Sequence, residues 1–527
     1  MAGEQGLVAL VLHAHLPWVR HPEHATFLEE TWLFEAITES YLPLLETFER
    51  LTADEVPCRV ALSLSPSLCA MLLDPLLQAR YLRHLESRIE LAERELHRTR
   101  DDARFQPLAA RHHAAFTAAR RRLVDRHHGD LIGAFTHLAD AGVVRLMTTA
   151  ATHGLLPLLA PTPQAVTAQV AVGMAEFRRV FGREPAGFWL PECGYFAGLD
   201  TTLAAAHVRF VCVESDAVAL ASSAPAYGVY APIYCPAGVA AFARDAAAST
   251  QVWSATAGYP GDPAYRDFYR DIGFDLAYEY VRPYLPPTGE RVATGLKYHR
   301  VTGAGDRKEP YDPALARATA ARHAAHYVGF CAGETARLAE AFDRPPLLTV
   351  PFDAELFGHW WHEGPLWLEL LCREIATDAR LRLVTPDEYL DAYPTNQVTE
   401  PNPGTWGAHG HHEVWLTEAN DWIYRHLHHA AQRMVVLARR HATAEGAVRR
   451  ALDQAARELM LAQASDWPFM ISRGTTVAYA TKRVTDHLAR FTRLADDVDR
   501  DTIDVAWLDA IAAADALFPS VDYRVFA

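Results

Sequence analysis

A chain of 527 residues exceeds the ~250–300 residues at which a single hydrophobic core stops growing, so one large domain with an appendage is expected. Half of the residues are hydrophobic and 22% are charged, which excludes a disordered chain and fits a large soluble enzyme. A formal charge of −15 argues against a nucleic-acid partner, whose phosphates need a basic surface, and leaves a neutral ligand as the simpler expectation.

The opening stretch MAGEQGLVALVLHAHLP has no basic region before its apolar run, and that run is short and broken by histidines. Neither a signal peptide nor a membrane partner is expected. Residues 7–12 are almost continuously apolar, as a strand covered on both faces of a parallel sheet requires. The run ends in His13-Ala14-His15-Leu16-Pro17-Trp18. Histidines at i and i+2 on an extended segment point the same way, so His13 and His15 can face one pocket. A single strand-end histidine is more commonly a structural donor; the pair followed by Pro and Trp favours a ligand. Residues 29–50 have helical periodicity, with Trp32 near the start, either in the core or on a cleft.

A second strand, 59–64, stops at Ser65-Pro66-Ser67, and from about 72 to 141 long stretches rich in Arg, Glu and Ala keep a helical period. This is a helical insertion with a solvated charged face. Strand character returns at 143–149 and stops at Ala151-Thr152-His153-Gly154, again with a histidine at the C-terminal end. A helix over 163–180 leads to the strand 187–190 and then Pro191-Glu192-Cys193-Gly194-Tyr195, a carboxylate flanked by Trp189 and Tyr195. Strand 209–213 closes with Glu214-Ser215-Asp216, and 239–245 ends with Arg244-Asp245. The apolar run 347–353 meets an acidic pair, Asp353 and Glu355, and then Gly358-His359-Trp360-Trp361. A last strand covers 382–384.

Strand, polar tip and helix in alternation argue for a βα barrel. In such barrels the C-terminal strand ends carry the active site, and Glu192 and Asp353 both lie there. Tryptophans beside a carboxylate suit a sugar platform; the alternative is a packed aromatic corner with a solvated acid. EPNPGTWGAHG, residues 400–410, reads as a linker. Helical periodicity follows to about residue 514, which divides the chain into 1–399 and a helical domain 400–527. Trp406, Trp415 and Ser465-Asp466-Trp467 lie in the second part. A Trp-rich linker is more commonly an interdomain seam than a subsite, and it serves as both if the helical domain caps the cleft.

Seven cysteines, at 58, 69, 193, 212, 235, 331 and 372, form no C-x-x-C pair, the pattern of reduced buried thiols in a cytoplasmic protein. The 26 histidines show no H-E-x-x-H or similar ligand spacing, so neither a metal nor another cofactor is expected. Glu192 and Asp353 supply the two carboxyls of glycoside chemistry, which lie ~5–5.5 Å apart in retaining and ~6.5–9.5 Å apart in inverting enzymes.

HAHLP at 13–17, ATHGLLPLL at 151–159, FWLPECGY at 188–195 and PFDAELFGHWW at 351–361 resemble, in order, the motifs of glycoside hydrolase family 57. WGAHGHHEVWL at 406–416, NDWIYRHLH at 420–428 and SDWPF at 465–469 resemble the helical domain of its α-1,4-glucan branching enzymes. The resemblance implies an α/β fold, a distorted (β/α)7 barrel with a helical insertion and a C-terminal helical domain, acting on an α-glucan polysaccharide by double displacement without a metal. It makes Glu192 the nucleophile and Asp353 the general acid/base. It places His13, His15 and His153 around the donor sugar, with Arg244, Trp361 and Asp466 near it, and Trp32, Trp406 and Trp415 along the glucan chain.

Histidine or arginine donors are expected to keep Glu192 ionised, while the carboxylate opposite, Phe352 and tryptophan walls raise Asp353. Glu355, on the same face as Asp353, is expected to hold a histidine or a sugar hydroxyl. Three stretches depart from the family pattern. The segment 217–228 is short where branching enzymes carry a longer loop with a water-excluding tyrosine, for which Tyr227 or Tyr230 are the substitutes at hand. Leu155 stands where an aromatic is expected, and AHG at 408–410 replaces a Gly-rich run. A hydrolase or 4-α-glucanotransferase is therefore the alternative activity; a non-catalytic glucan-binding protein and a metal-dependent sugar deacetylase are the alternatives of other classes. A monomer or small homo-oligomer is expected.

Overall fold

The computed structural model of the chain describes residues 6–254, 257–303 and 305–527. Among these, nine strands are formed: β1 Gly6–Ala14, β2 Val60–Leu64, β3 Val144–Thr149, β4 Phe188–Trp189, β5 Phe210–Val213, β6 Ile233–Tyr234, β7 Ala240–Ala243, β8 Leu347–Asp353 and β9 Leu381–Leu383. They run in the order β6-β7-β5-β4-β3-β2-β1-β8, with β9 against β1. All pairings are parallel except β6 with β7. The sheet closes where Arg244 bridges Thr349 in parallel sense and the Asp245 N–H donates to the Thr349 carbonyl at 2.8 Å. The seven parallel strands β1, β2, β3, β4, β5, β7 and β8 thus form the expected (β/α)7 barrel. It is distorted at β4, which is two residues long and meets β5 only through Phe188 and Val211.

Strand period decides what the barrel presents at its mouth. Leu7, Ala9 and Val11 of β1 pack with Ala61, Met147, Trp189, Phe242 and Leu347 inside the barrel, whereas Val8, Leu10 and Leu12 pack outward against the helices. Carried to the strand ends, the inward register brings up His13, Ser63 and Asp353; His13 and Asp353 are register partners.

Helices Pro66–Leu72, Pro75–Arg98, Gln106–Arg121 and Leu131–Asp140 fill the interval between β2 and β3. A second excursion, not anticipated from the sequence, separates β7 from β8 and includes Ala246–Trp253 and the 27-residue helix Pro313–Ala339. Its short turns between residues 259 and 311 are held by side-chain bonds rather than by periodicity, such as Asp271 accepting from Gly273, Thr294 and Gly295. After β9 come the helices Trp422–Arg440, Gly446–Ala462, Asp466–Arg473, Val477–Arg500 and Val505–Ala514. They meet the barrel mouth directly: Gly154 and Ala464 form a bridge, and the Ser465 N–H donates to the His153 carbonyl at 3.1 Å. No described helix is long and apolar enough to cross a membrane.

Candidate active site

Four strand ends and one helix start converge. His13 Nδ1 hydrogen-bonds Ser63 Oγ at 3.0 Å, and its Nε2 lies 3.0 Å from His153 Nε2. The His13 ring stacks on Trp189 at 4.5 Å and 5°. His153 Nδ1 reaches Ser465 Oγ at 2.9 Å, and the Ser465 hydroxyl donates to Glu192 Oε1 at 3.1 Å. The second Glu192 oxygen accepts from Trp406 Nε1 at 2.8 Å. His15 Nδ1 bonds Ser65 Oγ at 2.8 Å and its Nε2 bonds Asp466 Oδ2 at 3.0 Å. Glu192 sits at φ 59°, ψ 25° and the next residue, Cys193, also has positive φ. For a non-glycine residue that conformation is costly, and it turns the carboxylate out of the strand line and into the cleft.

Burial governs the electrostatics. It pushes Glu192 up to about 7; the Asp466 charge adds to this, and the Trp406 and Ser465 donors oppose it. The direct donors that favour the ionised form are an indole and a hydroxyl rather than a histidine or arginine; the His15 charge adds to them, and burial outweighs all three. Asp353 is raised well above its ordinary value by burial and then by the Glu355 and Glu192 charges. The two carboxyls thus share one electrostatic neighbourhood. Glu192 has two donors, whereas none among the described residues hydrogen-bonds the Asp353 carboxyl, so the proton belongs on Asp353. Burial lowers His13 and His153 well below the usual imidazole range, and the His15 charge adds to it, so both rings are neutral. Glu355 holds the backbone N–H of His15 at 3.2 Å and the Tyr41 hydroxyl at 2.5 Å, not a histidine ring.

His15 and His153 stack at 4.1 Å and 17°, with Asp466 beside them. Although His15, His153 and Asp466 could each offer a ligand atom, stacked rings hold their in-plane lone pairs side by side rather than aimed at one point, which does not suit tetrahedral coordination.

Other expected positions divide. Arg244 pairs with Glu214 at 2.8 Å, with its side chain 20% exposed at the tip of β7. Trp406 is half-buried and meets Trp189 edge-on at 5.3 Å. Trp32 is half-buried against Tyr479 of the C-terminal helices. Two tryptophans depart from expectation. Trp361 is 2% exposed among Tyr259, Tyr265 and Trp367, and its neighbour Trp360, 56% exposed, faces outward instead. Trp415, also 2% exposed, packs with Leu155 and Val414 beneath Trp406, which also accounts for an aliphatic residue at 155. Neither presents a face to a ligand.

Tyr227 and Tyr230 also differ from expectation. Tyr227 donates to Asp343 at 2.6 Å and lies under the Arg344 guanidinium, and the Tyr230 carbonyl accepts from Leu347, the first residue of β8. Asp353 is at the other end of that strand. Both tyrosines lie at the N-terminal face, and the segment between descends the wall beside residues 397–402, through Ser222 to Glu400 and Ala226 to Gln397.

Ser63, Ser65, Tyr41 and the pairing of the expected Arg244 with Glu214 were not legible in the sequence as parts of the site. The pair had a signal: Val213 and Ala243 are register partners on adjacent strands, and Glu214 and Arg244 each follow. The serines had none, since a hydroxyl at a strand end is a common turn residue.

The family model for glycosyl hydrolase family 57 matches residues 9–401, and that for the 1,4-alpha-glucan branching enzyme C-terminal region matches residues 426–526. The chain is 32% identical to the 1,4-alpha-glucan branching enzyme of Thermococcus kodakarensis over 94% of this chain and 74% of that protein. It is 30% identical to a probable 1,4-alpha-glucan branching enzyme of Mycobacterium tuberculosis, covering 98% of both. Among solved structures, the alpha-amylase AmyC from Thermotoga maritima superposes with a TM-score of 0.93 at 41% identity, covering 99% of each chain. The Thermococcus branching enzyme superposes with a TM-score of 0.89 at 31% identity, covering 100% of this chain and 97% of that one. With one family's model spanning three quarters of its length and its barrel and acid-bearing strand ends in place, the chain belongs to glycosyl hydrolase family 57.

Proposed function

We propose that this protein is a 1,4-α-glucan branching enzyme working by double displacement. The observation that carries the reading is the unequal treatment of two half-buried carboxyls at the ends of β4 and β8: one held by two donors, the other facing carboxylates only. Ionised Glu192 attacks the anomeric carbon while Asp353 gives its proton to the departing glycosidic oxygen. Asp353, now a carboxylate, takes the proton of an acceptor 6-hydroxyl, whose oxygen attacks the same carbon and releases Glu192. His13, His15, His153 and Asp466 hold the hydroxyls of the donor sugar, the Arg244–Glu214 pair lies alongside, and Trp406 both orients Glu192 and lines the chain.

Residues 1–399 act as the catalytic unit and 400–527 as its helical cap. Seven free, buried cysteines suit a reducing compartment, so a cytoplasmic role in glycogen formation belongs to the same proposal. Incubation with amylose tests the activity: new α-1,6 linkages in excess of new reducing ends support it, and reducing ends without branches refute it. Glu192→Gln is expected to bind glucan but not turn it over; full turnover in that variant would refute Glu192 as the nucleophile, and glucan binding without turnover in the unmutated chain would leave a binding protein with structural acids.

One observation favours a hydrolase as the second reading. The 217–230 segment descends the barrel wall, so it puts no tyrosine over a glycosyl-enzyme to exclude water. The same amylose experiment separates the two.

A further inference from the structure

The loop that carries Asp353 is clamped by the helix that follows β1. That helix contains a π turn, Ile37–Tyr41, which sets Glu39, Ser40 and Tyr41 in succession against the loop. Glu39 Oε2 lies 2.6 Å from His359 Nδ1, the His359 N–H donates to Ser40 Oγ at 3.1 Å, and Tyr41 donates to Glu355. Gly358 permits this approach: at φ 115°, a Cβ there would lie 1.7 Å from the Glu39 carbonyl oxygen. As a result Trp360, seven residues beyond Asp353, is held outward at 56% exposure and stacked on Phe268 at 4.7 Å and 24°. A large indole fixed in that way presents a rigid apolar face to solvent.

Charged groups are packed behind this clamp, around Phe268 and Glu39. The Lys297 ammonium sits 4.3 Å over the Phe268 ring, with the residue 3% exposed, and makes no hydrogen bond among the described residues. Arg88, 6% exposed, has Nε and Nη1 unbonded beside a small cavity that Glu35 and Glu39 also line. Glu35, Glu39 and Asp271 offset Lys297, Arg88 and Arg266, so the charges around the cluster leave little net field to attract an ion, and a neutral ligand is the one that suits the exposed ring above it.

We propose that Trp360 and Phe268, over the Glu39–His359 pair and Lys297, form a subsite for an α-1,4-glucan chain on the acceptor side of Asp353. It rests on the glucan reading above and extends it. The exposed indole face of Trp360 takes the C–H face of a sugar, Phe268 and the Lys297 ammonium packed on its ring hold that indole in place, and the loop holding the acid/base also holds the chain whose hydroxyl it deprotonates.

Calorimetric titration of maltoheptaose into the full chain carrying Glu192→Gln, with and without Trp360→Ala or Lys297→Met, tests the subsite. Removing the stacked indole is expected to weaken binding about tenfold, and Lys297→Met to weaken it in the same direction. In the chain with Glu192 intact, Trp360→Ala is expected to lower the ratio of transfer to hydrolysis products by a similar factor. Unchanged affinity in both variants overturns the subsite, whatever the chain catalyses. Lost affinity with an unchanged product ratio, in a chain that does transfer, overturns the acceptor assignment. Lost affinity in a chain that makes no transfer products keeps the subsite as the holder of the leaving chain and refutes branching alone.

Discussion

Replacing Trp406 with Phe keeps an aromatic ring beside Trp189 and removes one donor, the indole N–H at 2.8 Å from Glu192 Oε2. That bond favours the ionised carboxylate, so its loss must raise the Glu192 pKa above the present value of about 7. Hydrogen bonds to a charged group contribute about 1.5–3 kcal/mol, or roughly one to two pH units. Trp406 is half-buried, so water replaces part of the bond and the lower end, about one unit, applies. As the proposed nucleophile, Glu192 acts ionised, so kcat/KM is expected to rise with pH through this group. At pH 7 the ionised fraction falls from about one half to about one tenth, a loss of about fivefold that is recovered at higher pH. The assay is the pH profile of kcat/KM on a maltooligosaccharide from about pH 5 to about pH 10. An acid limb that stays in place, with activity lost equally at every pH, refutes the view that Trp406 tunes Glu192.

Three further outcomes are expected. Because burial raises Glu192 in the folded chain to about 7 from 4.5, the unfolded state releases its proton first and stability falls as pH rises between those values. Glu192→Gln removes that penalty and is expected to stabilise the chain on the order of 3 kcal/mol at pH 8 and not at pH 4, read by chemical denaturation at both. Gly358→Ala puts a Cβ into the Glu39 carbonyl at a positive φ, and is expected to cost on the order of 3 kcal/mol and to displace the Asp353 loop, seen as a lower denaturation midpoint with reduced kcat. Tyr227→Phe, at the face opposite the acids, is expected to leave the ratio of branches to reducing ends unchanged; a shift toward hydrolysis would mean the residue reaches the cleft.

The barrel was legible because its strands are apolar, short and separated by helical period, and β1 and β8 also carried their chemistry in register. His13 and Asp353 follow the inward positions of their strands, so period 2 alone aims them. Register fails where the chain leaves the strand. Trp360 and Trp361 are adjacent in sequence, yet the turn after β8 buries one among aromatics and exposes the other, a choice made by tertiary packing. Glu192 was found as a strand-end acid, but its positive φ was not, since nothing in Pro191-Glu192-Cys193 signals a left-handed residue. Ser465 joins the site from a helix start more than 270 residues beyond Glu192, brought there by tertiary contacts with the end of β3: the bridge between Gly154 and Ala464 and the bonds of Ser465 to His153. The descent of residues 217–230 was hidden for a related reason: short, Ala- and Ser-rich loops carry no periodicity, and their course is set by partners such as Glu400 and Asp343.

The division of labour between the two acids is most directly tested by trapping. In Asp353→Asn the proposed acid/base is absent, but an α-maltosyl fluoride donor needs no proton to lose fluoride, so glycosylation of the proposed nucleophile is expected to proceed while its release is slowed. Proteolysis and mass spectrometry should then find the sugar esterified to the peptide that contains Glu192. An adduct on Glu214, Glu355 or Asp466, or none at all while the fluoride is still consumed, would contradict the account.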